Sequence, residues 1–171
     1  MKLTERVAMF GPELYTQNER GAIALAPIDF DDLPQAVDPQ INEHLTDHFK
    51  GFLADLPNQY EWLKDGEDNL HWGIYNRERT RLLGITGLRN LDGSDSPAIS
   101  RIALFESSSR GRGIGRAAYE AQYGYVRHEV AARHFEHSAA NANVGSLRIA
   151  QSVGFTAVYG DGLRTTMHLN Y

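Results

Sequence analysis

The stretch Arg110-Gly111-Arg112-Gly113-Ile114-Gly115 combines the residue types that hold a phosphate-bearing ligand through main-chain groups. Glycines at alternate positions let the backbone turn tightly and approach a ligand without Cβ interference. The Ala-rich run from Arg116 reads as a helix, so its first unpaired N–H groups and positive dipole end converge on the loop. Arg110, Arg112 and Arg116 add positive charge around that point. This is the chemistry of an anion cradle, whose commonest occupant is phosphate. Further along, Asn143-Val144-Gly145-Ser146 opens a second helical pattern that Gly154-Phe155 closes.

The 171 residues suit one domain, 1–171, with a sizeable core. The absence of cysteine excludes disulfides, Cys-ligated zinc and thiol nucleophiles. No apolar run approaches the roughly 20 residues of a membrane span, and no signal-type stretch follows Met1. A soluble cytoplasmic protein is expected, with no membrane partner. The net charge of −5 hides an asymmetry: residues 29–68 hold eleven Asp and Glu against two Lys, whereas 101–133 hold six Arg against three Glu. A basic region around the glycine loop suits a polyanionic ligand, and the acidic region either attracts a cationic co-substrate or presents solvated helix faces. Overall acidity argues against nucleic acid as the main partner.

The elements that must position these residues follow from periodicity. Residues 6–10 and 22–28 read as strands. Asp31 or Asp32 can cap a short helix toward Val37. Ile41, Leu45, Phe49, Phe52 and Leu56 mark a helix that Pro57 ends, with one further helical turn at 60–63. Strands at 69–75, 82–88 and 98–105 form an antiparallel meander; Gly84 and Gly87 weaken the middle strand unless something packs closely there. A helix over 116–131 and a strand over 135–140 complete a βαβ unit with a right-handed crossover. A helix from Asn141 to Val153, stopped by Gly154, and a hairpin around Gly160-Asp161-Gly162 end the chain. The fold class is mixed α/β.

In this setting the sequence resembles the Gcn5-related N-acetyltransferases (the GNAT superfamily), in particular the ribosomal-protein Nα-acetyltransferase-like branch. The family's acyl-CoA loop, Arg/Gln-x-x-Gly-x-Gly/Ala, matches Arg110, Gly113 and Gly115. Its downstream signature, Asn-x-x-Ser followed after a helix by Gly-Phe, matches Asn143, Ser146, Gly154 and Phe155. The resemblance implies a GNAT-like fold and acetyl-CoA as co-substrate, with no metal. It implies that main-chain N–H groups from Arg112 through Gly113, Ile114 and Gly115 to Arg116 hold the CoA pyrophosphate, with Arg110 and Gly111 in the same cofactor-binding loop. The strand 100–105 would splay from the strand 135–140, and pantetheine would bond to the backbone of Ile102, Ala103 and Leu104. Asn143 would contact the pantetheine and Ser146 would face the sulfur. The acceptor is an amine on a small molecule or a protein N-terminus; a homodimer is compatible with the reading.

The implied reaction is direct attack of an amine on a thioester. Proximity supplies about 7–11 kcal/mol when geometry is good, a strand N–H can stabilise the oxyanion, and an acid or base adds roughly 10²–10⁴. Many superfamily members carry a tyrosine acid where this chain has Ala150, so Ser146 is the candidate acid; its competing reading is a first-turn serine satisfying backbone groups. The third-strand carboxylate of other members is Ser100 here, leaving Glu136 and His137 as candidate bases. Trp62, Trp72 and Tyr75 line the acceptor cleft or pack the core, core packing being the default reading for both tryptophans. His44 and His48, with Glu43 and Asp47, have metal-compatible spacing but no third ligand in reach, so a solvated helix face is the preferred reading. Two competing functions stay open. One is an acyl-CoA-binding domain without catalysis. The other is a dinucleotide-binding oxidoreductase, whose third fingerprint glycine would fall at Arg116.

Overall fold

The computed structural model describes residues 11–18, 21–34, 47–65, 69–91 and 95–171. Its elements are β1 (Leu14–Asn18), β2 (Gly21–Ala26), α1 (Asp47–Ala54), α2 (Leu56–Asp65), β3 (Leu70–Asn76), β4 (Leu82–Arg89), β5 (Ala98–Leu104), α3 (Ile114–Glu129), β6 (His134–Ala140), α4 (Val144–Ser152), β7 (Thr156–Gly160) and β8 (Arg164–Asn170). They build one sheet in the order β1-β2-β3-β4-β5-β6-β8-β7. Every neighbouring pair is antiparallel except β5 and β6. The expected meander, crossover unit, helix and closing hairpin are all present.

The differences lie mainly in the first third. The strand β1, which the poorly patterned N-terminal residues did not suggest, pairs with β2 along its whole length. The expected strand at 6–10 lies outside the described residues. Asp29 caps a 3₁₀ turn over Phe30–Asp32, its carboxylate accepting the Asp31 N–H at 3.1 Å; the expected helix from Asp31 or Asp32 toward Val37 runs outside the described residues. Pro57 sits in the first turn of α2, where a missing N–H removes no helical bond, so a second helix of ten residues follows instead of a single turn.

Helices cover both faces of the sheet. Along β5, Ala98, Ile102 and Leu104 turn to a core built with Ala117, Ala118, Tyr119 and Val126 of α3, while Ala103 turns to a second core with Leu53 and Leu56 from α1 and α2. This is the period-2 alternation of a strand buried on two sides. Trp72 and Tyr75 are fully buried, which decides for core packing over the acceptor cleft. Trp72 donates from Nε1 to the Pro12 carbonyl at 2.9 Å and lies against Gly11, where a Cβ would come within 1.9 Å of the indole. The side chain of Trp62 lies outside the described residues.

Close packing also accounts for Gly84. A Cβ there would come within 2.2 Å of the Ala103 carbonyl oxygen, so β4 and β5 approach only because position 84 has no side chain. Gly84→Ala is expected to destabilise the fold by about 2 kcal/mol or more, because the clash is with backbone that cannot swing away. Urea unfolding would register this as a lower midpoint at unchanged slope; an equal or higher midpoint would contradict the packing.

Candidate active site

Parallel pairing of β5 with β6 is confined to two residue pairs, Ala98↔Phe135 and Ile99↔Glu136. Beyond them the strands separate. Each remains held on its other side, β5 by β4 through six pairs and β6 by β8 through seven. A cleft of about 610 Å³ opens beside the separated part of β5. Ile102, Ala103 and Leu104 form one wall, Arg110, Gly111, Gly113, Ile114, Gly115 and Arg116 another, and Asn143, Ser146 and Arg148 face them.

Each glycine of the loop has its own reason. Gly111 and Gly113 have φ of +70° and +77°, a region that side chains with a Cβ disfavour. Gly113 caps α3, and its carbonyl accepts the Ala117 N–H at 2.9 Å. The N–H groups of Ile114, Gly115 and Arg116 belong to the first turn, which offers them no intrahelical acceptor. Gly115 is buried, and a Cβ on it would meet Ile149 Cδ1 at 2.5 Å, so its role is the close approach of α3 to α4. Arg116 pairs with Glu120 one turn on, at 2.7 Å. Arg112 does not border the cleft, unlike Arg110 and Arg116.

The second helix end is built by Asn143, whose Oδ1 accepts the Ser146 N–H at 3.2 Å. This cap orients the first turn of α4 and brings Ser146 to the cleft wall. Ala150, at the position of the family's tyrosine, is fully buried in the core and does not line the cleft.

The two candidate bases separate. Strand alternation puts His137 on the side of α3 and α4, where its Nε2 lies 2.9 Å from Ser146 Oγ and its Nδ1 lies 3.1 Å from the Tyr119 hydroxyl. Ser100 Oγ lies 2.7 Å from that hydroxyl. Glu136 faces the opposite side of the sheet, where His168 Nε2 is 3.4 Å from its carboxylate and His134 Nε2 is 3.1 Å from His168 Nδ1. The links through Tyr119 and His168 were not read from the sequence. A tyrosine on the sheet-facing stripe of α3, one turn after Gly115, was the available signal for the first. Among the described residues no cluster of His, Asp or Glu suits a metal ion. Glu43 and His44 lie outside those residues, as do the side chains of Asp47 and His48. No described helix is long and apolar enough to cross a membrane.

Burial, and secondarily the Arg164 cation, lower the His137 pKa from 6.5 to about 4, so the imidazole is neutral at pH 7. A buried imidazole of such low basicity is a weak acceptor for a proton from a solvent-borne ammonium. The lowered pKa also has a consequence for stability. Between pH 6.5 and 4 the unfolded chain binds a proton that the folded one does not, so stability falls as pH drops through that window and levels off below it. The contribution is on the order of 3 kcal/mol. Thermal or urea unfolding of wild type and His137→Gln across this range should show a shallower acid loss in the variant; parallel curves would contradict the shift.

Comparison with known proteins agrees with this geometry. The acetyltransferase (GNAT) domain family matches residues 23–156. No curated protein matches the sequence. Among solved structures, Mycobacterium smegmatis RimJ in complex with CoA-disulfide is 16% identical with a TM-score of 0.64, over 94% of this chain and 86% of that one. The GNAT-family acetyltransferase from Bacillus anthracis is 12% identical with a TM-score of 0.67, over 91% and 98%. The microcin C7 self-immunity acetyltransferase MccE, in complex with acetyl-CoA and AMP, is 15% identical with a TM-score of 0.66, over 90% and 98%. At these identities the structures share the fold, and the family match extends over most of the sequence: the chain belongs to the GNAT acetyltransferases.

Proposed function

We propose that the protein, acting as one domain, transfers the acetyl group of acetyl-CoA to a primary amine. The observation that carries this reading is the convergence on one cleft of an unpaired length of β5, a glycine loop opening α3, and the Asn143-capped first turn of α4. The residues fit such a co-substrate. The edge of β5 at Ile102–Leu104 offers backbone groups to pantetheine, and a Cβ at Gly111 would meet nothing within 4 Å, so the loop leaves room for a pyrophosphate. Two fold relatives solved with CoA ligands add support.

Acetyl-CoA supplies an activated thioester carbonyl. The N–H groups of Ile114, Gly115 and Arg116 bind the pyrophosphate through the helix end. A β5 backbone N–H stabilises negative charge on the carbonyl oxygen. Ser146 donates from Oγ to the leaving sulfur; because a thiol has a pKa near ~8.5, this assists departure without being indispensable. Glu136 belongs to the last β5–β6 pair and faces away from Ser146, so it is the carboxylate suited to holding an acceptor ammonium and receiving its proton. The acidic residues of 29–68 favour a cationic acceptor.

The test is thiol release from acetyl-CoA across a panel of amines, polyamines and peptides with free N-termini. Release with at least one acceptor is expected, and none from folded protein would refute transfer. Binding without turnover would instead identify an acyl-CoA-binding domain. Ser146→Ala is expected to lower kcat by on the order of 10² with KM for acetyl-CoA little changed. Gly113→Glu should abolish acetyl-CoA binding in calorimetry, since it adds a carboxylate and a strained φ where the pyrophosphate would sit; unchanged affinity would refute the cradle.

A further inference from the structure

The register of the short parallel pair makes Ser100 and His137 the first residues past the last pairing, one on each diverging strand. Their side chains do not meet directly. The Tyr119 hydroxyl stands between them, 2.7 Å from Ser100 Oγ and 3.1 Å from His137 Nδ1. From the other ring nitrogen the contact continues to Ser146 Oγ at 2.9 Å. Four side chains on four elements thus form one chain from the interior to the cleft wall. Ser100, Tyr119 and His137 are 5% exposed or less, and Ser146 alone reaches the cleft.

Donor counting allows this chain two directions, and only one of them leaves the Ser146 hydrogen free for the cleft. In that direction Ser100 donates to the Tyr119 oxygen across 2.7 Å. A phenol that accepts there gives its own hydrogen to the next partner, His137 Nδ1. A neutral imidazole has one N–H, so with Nδ1 accepting the hydrogen sits on Nε2 and points at Ser146 Oγ. The serine oxygen is then occupied as an acceptor, and its own hydrogen is left to be donated into the cleft. The rings of Tyr119 and Phe155 pack edge-on to the imidazole, at 5.9 and 6.1 Å between centroids, and hold it in this orientation.

Building on the acetyl-transfer reading, we propose that Tyr119 and His137 are positioning residues that set Ser146 as a hydrogen donor to the departing sulfur, with His137 Nε2–H stabilising charge that develops on Oγ. When the C–S bond breaks, its electron pair stays on sulfur and Ser146 gives its proton there. Once Glu136 has taken the first proton of the ammonium, the nitrogen gives up a second as the amide forms; that one replaces the proton Ser146 passes to sulfur, and His137 keeps its own. Because every bond in the chain points the same way, each strengthens the next.

Two measurements on the full chain test this. The first is the imidazole nitrogen spectrum at pH 7. The wild type should show the Nε2–H tautomer at His137, and Tyr119→Phe should shift it toward a mixture; an Nδ1–H tautomer in the wild type overturns the inference. The second is a double-mutant cycle in the thiol-release assay. His137→Phe should lower kcat roughly tenfold or more with KM for acetyl-CoA within about twofold, and His137→Gln, which keeps an N–H near the Nε2 position, should recover part of the loss. In a Ser146→Ala background, His137→Phe should change kcat by less than about twofold. Additive losses alongside active wild type overturn the positioning role and leave acetyl transfer standing. A wild type that binds acetyl-CoA without releasing thiol overturns both.

Discussion

The parting of β5 from β6 after two residue pairs is the constraint on which the rest of the structure depends. Two adjacent parallel strands normally close their whole length, because an unpaired buried backbone group is costly. Here the separation persists because each strand is already held on its far side, β5 by β4 and β6 by β8. Tyr119 occupies the fork, its hydroxyl in contact with the side chains of the first unpaired residue on each strand. What remains open beyond the fork is a strand edge able to receive an extended ligand as if it were another strand.

Around that opening, helix ends do the electrostatic work. The glycine loop and the Asn143 cap present the N-termini of α3 and α4 to the same cleft, so two sets of first-turn N–H groups and two dipole ends converge there. They meet where Gly115 packs under Ile149, and a Cβ at position 115 would displace the tip of that side chain. The same tight approach brings the first turn of α4 over β6, within reach of His137. One strand then serves two sides of the sheet: consecutive residues Glu136 and His137 point in opposite directions, the carboxylate toward His168 and the imidazole toward Ser146.

Much of this architecture was legible in the residues. The alternation of β5, the hairpins, the glycine stop at Gly154, with φ of +104°, and the sheet-facing stripe of α3 all appear where periodicity puts them. The suspicion attached to Gly84 and Gly87 was also sound, since the Ala103 backbone crowds the first position and the His71 ring with the Leu70 carbonyl crowds the second. Legibility failed where local pattern was weak or where two readings shared one pattern. The strand β1 alternates too poorly to announce itself and exists through pairing with β2. The indole of Trp72 could have faced a cleft or a core, and only the Pro12 carbonyl and the Gly11 backbone above it determine which.

The sequence by itself determined what short-range physics dictates: glycines where φ must be positive, an asparagine where a helix needs a cap, and opposite faces for Glu136 and His137 because strand side chains alternate. Only the tertiary structure decided which of those faces meets Ser146, that a core tyrosine joins Ser100 to His137, and that burial leaves the imidazole neutral. These outcomes rest on groups distant along the chain that packing brings within hydrogen-bonding distance. A residue's type states which bonds it can make, and its neighbours in space decide which ones it does.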